Sequence, residues 1–130
     1  MPRIGIFIDA LQESIPANLR KKIFDYVQEL PEIAFCVEEE DLVSSGALSR
    51  MGKRLETGGF EGVVIIGGSP KLYETSFQKL KLPLPFNPYL FAVANIREQA
   101  LWTMPNEGAA LEKAKRIIFK TIREVSNSKP

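Results

Sequence analysis

The most restrictive feature of this chain is an alternation of two periodicities. Short, nearly continuous apolar runs with strand character are each followed by a stretch whose apolar residues recur at helical spacing. The first run is Arg3-Ile4-Gly5-Ile6-Phe7-Ile8, closed by Asp9. From about Pro16 to Leu30 the residues Leu19, Ile23, Tyr26, Val27 and Leu30 mark one amphipathic helix, with Pro16 suited to its first turn and Pro31 preventing continuation. A second run, Ile33-Ala34-Phe35-Cys36-Val37, enters the acidic cluster Glu38 to Asp41. Ser44 or Ser45 can then cap a helix carrying Leu48, Met51 and Leu55, which Gly58-Gly59 ends.

The third run, Gly62-Val63-Val64-Ile65-Ile66, is rich in β-branched residues and stops at Gly67-Gly68-Ser69-Pro70. Serine followed by proline is a helix-start signal, because serine can accept an orphan amide and proline has no amide to orphan. Leu72, Tyr73, Phe77 and Leu80 carry that helix, and the Pro-rich connector 81–85 leads to a fourth strand, Tyr89 to Ala94. Asn95 ends the strand and opens another helix. Residues 109–125 form the last helix, with Ala110, Leu111, Ala114, Ile117, Ile118, Thr121, Ile122 and Val125 on one face and most of its Lys and Arg residues on the other. Strands separated by helices imply right-handed crossovers. The expected fold is an α/β three-layer sandwich with about four mainly parallel strands, Rossmann- or flavodoxin-like.

A length of 130 residues predicts a single domain over 1–130, and 45% hydrophobic against 25% charged residues is a globular composition. One cysteine, no leader-like segment and no membrane-length apolar run predict a cytoplasmic protein without disulfides. The net charge is +1, yet residues 1–65 hold 7 basic and 11 acidic side chains and the remainder 10 and 5. The basic excess is small and sits largely on one helix face, which reads as a solvated surface and not as a nucleic-acid site.

Ligands of open α/β sheets bind beyond the carboxyl ends of the strands. That edge gathers Asp9, Gln12, Ser44, Ser45, Gly67, Gly68, Ser69, Asn95 and Arg97 as candidate ligand-binding residues. Gly67-Gly68-Ser69 opens a helix and could receive an anion, but it lacks a phosphate-loop lysine and the dinucleotide glycine spacing, so a tight turn with an N-cap is favoured. Asp9 could act as a base, hold a cation or cap the following turn. Asn95-Ile96-Arg97-Glu98 has capping-box spacing. Arg97 could clamp a carboxylate or phosphate; internal pairing with Glu98 or with the Glu38 to Asp41 cluster is favoured. Trp102 reads as core or interface. Cys36, mid-strand and with no histidine in the chain to activate it, reads as a buried inert thiol.

Several stretches resemble the N-terminal domain of the A subunit of heterodisulfide reductase, a flavin-containing electron-bifurcating component of methanogens and related anaerobes. Asn87-Pro88-Tyr89-Leu90-Phe91, Ala94-Asn95-Ile96-Arg97-Glu98 and Trp102 are similar to family blocks in order and spacing. Ile4 to Ile8, Val63 to Ile66 with Ser69-Pro70, and Glu112 to Lys115 match further segments. Where the family carries Cys-His-Cys-Gly, this chain has Asp9-Ala10-Leu11-Gln12. The resemblance also places family cysteines at Val43, Gly68 and Ala100 and a family histidine at Tyr73. An iron–sulfur cluster needs thiolate ligands, usually four. No cluster, no other cofactor and no metal site is therefore expected, and catalytic residues are unassigned.

The resemblance implies a cluster-less docking or regulatory partner in an anaerobic electron-transfer complex of archaeal type, with no redox activity of its own. Its expected partners are heterodisulfide-reductase-like subunits, with a homodimer as a further option, and neither nucleic acid nor membrane. The alternative is a small-molecule or anion-binding enzyme using a strand-end pocket around Asp9, Ser69 and Arg97.

Overall fold

Two-sided burial makes the first apolar run the centre of the sheet: all six residues of β1 (Ile4–Asp9) are buried. The computed structural model describes residues 3–57, 60–73 and 91–127. Within them β1 is followed by α1 (Ala17–Gln28), β2 (Ile33–Glu39), α2 (Ser45–Thr57) and β3 (Gly62–Gly67). A helical turn at 70–73 comes next, then β4 (Phe91–Asn95), a π-helical turn (Arg97–Leu101) and α3 (Glu107–Asn127). The predicted positions Phe77 and Leu80, the connector 81–85, the glycine pair at 58–59 and the block 87–90 lie outside the described residues.

The strands form one all-parallel sheet in the order β2-β1-β3-β4, with helices on both sides. It is the Rossmann- or flavodoxin-like α/β arrangement that the alternation implies. Alternate residues of each strand serve opposite faces. Ile4, Ile6, Ile8, Val64 and Ile66 pack with Leu19, Ile23 and Val27 of α1 and with Ala114, Ile118 and Ile122 of α3. Phe7, Val63 and Ile65 pack on the other face with Ala47 and Met51 of α2 and with Tyr73. The periodicity read from the sequence and the burial observed on α3 therefore coincide.

The ends of the elements differ slightly from expectation. β1 runs one residue further, through Asp9, and β2 two further, through Glu39, because these two residues still pair across the ladder. Gly67 likewise pairs with Asn95. Pro16 sits just outside α1 in an extended conformation, φ −56° and ψ 143°, so the helix starts at Ala17. At α2, Ser44 is the cap: its Oγ accepts the Ala47 amide at 3.2 Å. Among the described residues no helix is long and apolar enough to cross a membrane.

Glycine at position 5 is a packing requirement. A Cβ there would stand well inside van der Waals contact with the Phe35 ring of β2. That ring lies edge-on to both Phe7 and Phe60, at centroid distances of 5.4 and 5.3 Å, and cannot retreat freely. Gly5→Ala should therefore cost about 1–3 kcal/mol, the usual penalty for overpacking. The check is a denaturant midpoint, and adding Phe35→Leu should recover most of the loss.

Candidate functional site

The chain reverses its direction of travel across the sheet between β1 and β3, so the crevice at their carboxyl ends is the topological switch point. Asp9 closes β1 there and is fully buried. Its Oδ1 accepts the Leu11 amide at 2.9 Å and the Leu42 amide at 3.1 Å, and its Oδ2 accepts the Tyr73 hydroxyl at 2.8 Å. Tyr73 Oη in turn accepts the Gly68 amide at 3.0 Å. Four segments thus meet on one carboxyl–phenol pair: the end of β1, the β2–α2 loop, the end of β3 and the helical turn 70–73.

Burial raises the Asp9 carboxyl above the ordinary carboxylate range, outweighing its three hydrogen bonds, and nearby Asp41 adds to the rise. Burial also raises the Tyr73 phenol, reinforced by the Asp9 charge. The phenol is the proton donor of the pair and Asp9 the acceptor.

Beyond Asp9 the backbone makes a left-handed turn. Leu11, Gln12 and Glu13 have φ of 54°, 54° and 72°, a region that costs a non-glycine residue on the order of 1 kcal/mol or more. Buried Arg20 holds this turn from below. Its Nε donates to the Ile15 carbonyl at 2.9 Å, one terminal nitrogen reaches Glu13 at 2.7 Å and the other Glu38 at 3.2 Å. From above, the Gln12 amide donates to the Glu40 carbonyl at 2.8 Å and Gln12 Nε2 to Asp41 at 3.1 Å.

The predicted residues divide into groups. Asp9, Gly67 and Gly68 surround Tyr73, and a Cβ on Gly67 would collide with the phenol. Gln12 and Ser44 instead line a separate cleft of about 450 Å³ with Glu39, Glu40, Asp41 and Arg50. In it Arg50 clamps Glu39 through two hydrogen bonds, 2.6 and 2.9 Å, which hold the Glu39 carboxyl below its usual range. Ser45 opens α2. The Ser69 carbonyl accepts the Leu72 amide at 3.1 Å. Asn95 Oδ1 accepts the Glu98 amide at 3.2 Å, the capping role its spacing predicted.

One expectation is corrected and another narrowed. Among the described residues Arg97 pairs neither with Glu98 nor with the Glu38 to Asp41 cluster. Its guanidinium lies over the Trp102 ring at 5.3 Å and beside Gly68, with Nε buried and unpartnered. The acidic cluster is at the β2 end, across the sheet from β4, and much of it is already used by Arg20 and Arg50. Of the two readings of Trp102, core or interface, its 68% exposure removes the first. Cys36, expected as a buried inert thiol, is half-buried in β2, and burial pushes its thiol up to about 12.

Tyr73, Arg20 and the Leu42 amide were not among the predicted site residues. Tyr73 had a signal, because it lies one turn after a glycine pair at a strand end. Arg20 looked like one more polar residue on a helix, and only the fold shows it buried.

The Asp9–Tyr73 pair makes a testable statement about stability. The folded carboxyl is harder to ionise than the unfolded one, so its contribution is greatest below the unfolded range near ~3.9 and is lost as pH rises toward the folded value. Asp9→Asn should flatten the stability slope over that acidic window, measured by urea unfolding; an unchanged slope would refute the assignment. Tyr73→Phe should cost about 1–3 kcal/mol, because a buried carboxyl oxygen and the Gly68 amide lose their partner.

Comparison with known proteins places this edge in context. No protein-family model matches the chain. The A subunit of the H(2):CoB-CoM heterodisulfide,ferredoxin reductase of Methanothermobacter marburgensis is 27% identical over 99% of this chain and 20% of its own length. The second iron–sulfur A subunit of the CoB–CoM heterodisulfide reductase of Methanopyrus kandleri is 27% identical over 90% of this chain and 18% of its own. The A subunit of the ferredoxin:CoB-CoM heterodisulfide reductase of Methanosarcina mazei is 32% identical over 77% of this chain and 13% of its own. The chain thus spans no more than about a fifth of the length of these relatives. The Asn-Ile-Arg-Glu block, the strand pattern and these matches agree that, along nearly its whole length, this chain is similar to a segment of the heterodisulfide reductase A subunit.

Proposed function

We propose that this single domain is a cluster-less relative of the heterodisulfide reductase A subunit that serves as a docking or regulatory component of a cytoplasmic electron-transfer assembly. The observation that carries this reading is the extent of the similarity. Relatives bearing the name of a reductase A subunit match up to 99% of the chain. Kinship of that extent makes a protein assembly the natural setting for the domain.

The proposed absence of a cluster rests on donor chemistry. An iron–sulfur cluster is held by thiolates, and the chain has one cysteine. That cysteine is mid-strand in β2, with its thiol pushed far from ionisation. Positions where the resemblance puts family cysteines hold a carboxyl at Asp9, which is tied to Leu11, Leu42 and Tyr73, and a backbone amide at Gly68, which is tied to Tyr73. The other such positions are apolar: Leu11 and Ala100 pack into one core face and Val43 against the other. Among the described residues no group of three or more His, Cys, Asp or Glu side chains is placed to hold a metal ion. The donor set does not fit a cluster, and the proposed role supplies surface and not electrons.

The test has two arms. Protein prepared without oxygen should contain no stoichiometric iron or acid-labile sulfide; finding both would overturn the cluster-less reading. The same protein, mixed with a purified heterodisulfide-reductase-type assembly, should co-elute with it in gel filtration, and separate elution would overturn the docking role.

A further inference from the structure

The carboxyl edge of the sheet carries two unlike ends. At the β2 end stand Glu38, Glu39, Glu40 and Asp41. Glu38 and Glu39 are neutralised by Arg20 and Arg50, whereas among the described residues neither Glu40, which is exposed, nor Asp41 has a cationic partner. At the β4 end stands Arg97, whose side chain makes no hydrogen bond or ion pair among the described residues, its guanidinium against the exposed ring of Trp102. Lys71 is exposed on the helical turn after β3, and Glu98 is the neighbouring acid. The two ends are three strand spacings apart, about 14 Å. Among the described residues no side chain of one molecule joins them.

We infer that this edge is self-complementary and pairs two copies of the chain, with Arg97 and Trp102 of one copy set against Glu40 and Asp41 of the other. The symmetry follows from the strand order. A two-fold axis along the sheet normal, placed beyond the strand ends, turns the order β2-β1-β3-β4 end for end. It therefore brings β2 of one copy opposite β4 of the other, twice. Such a contact is isologous and closed, and it forms a dimer without further growth. Arginine supplies a planar fork for a carboxylate, and exposed tryptophan beside arginine has the composition of an interface anchor. The inference goes beyond the proposed function and stands independently of which other protein the domain meets.

Sedimentation velocity on the full 130-residue chain, across a range of concentrations and at low and high salt, tests it. The expected result is a dimer that dissociates on dilution and weakens with salt. Arg97→Glu, and separately Glu40→Lys with Asp41→Lys, should each weaken the dimer by about 30-fold or more. Mixing these two variants should restore a dimer, because both contacts in the mixed pair regain opposite charge. Trp102 is the only tryptophan, so its emission should shift to the blue on association in the wild type. Should Arg97→Glu fail to fold, Trp102→Ser at an exposed position gives the same reading. A wild type that is monomeric throughout, a dimer indifferent to Arg97→Glu or Trp102→Ser, or charge variants that do not recombine would each overturn the inference. Failure in these measurements would leave co-elution with a reductase assembly untouched.

Discussion

The end of β1 is where this architecture is tied together, and the tie is the Asp9 carboxyl. One oxygen gathers two amides from loops that are 31 residues apart in sequence, and the other takes the phenol that orders the start of the segment after β3. Burying a carboxyl is unfavourable in itself, which is why its proton affinity rises. Three donors arranged around it make the burial tolerable, and their arrangement fixes the shape of the switch-point crevice. Gly67 and Gly68 belong to the same device, since one leaves room for the phenol and the other offers it an amide.

The left-handed turn at Leu11 to Glu13 depends on that tie. Three successive residues in a disfavoured region persist only where the surroundings over-determine them. Here they are held by Asp9 on one side, by the backbone of the β2–α2 loop on another, and by the Arg20 guanidinium beneath. Arg20 shares itself between Glu13, Glu38 and a carbonyl, so α1, the turn and β2 are cross-linked by one side chain. Arg20 itself is buried, while solvent still reaches both glutamates.

Much of this fold was legible in the sequence because burial writes itself into periodicity. Ile4, Ile6 and Ile8 against Phe7, and the spacing of Ala114, Ile118 and Ile122, state which way each element faces. Strand ends were less legible, since Asp9 and Glu39 are polar yet still hydrogen-bond across the ladder. The edge location of the candidate residues also followed from topology, but their grouping did not. Nothing in the one-dimensional pattern separates Gln12 and Ser44, in the acidic cleft, from Asp9, under the phenol. Arg97 shows the limit most clearly: charge alone suggested pairing with the acidic cluster, whereas the strand order sets those groups at opposite ends of the sheet.

The missing side chain at Gly5 acts on the whole sheet. Parallel strands with continuous apolar sequence have little in their composition to stop one from sliding along the next. The Phe35 ring, lying across the bare backbone of Gly5, works as a key in a notch. A shift of two residues, the smallest that keeps each side chain on its own face, would set Arg3 or Phe7 beneath the ring in place of the glycine. The notch thus aligns β2 with β1, and with it the carboxyl ends of both strands, at the end of the molecule opposite the crevice it serves.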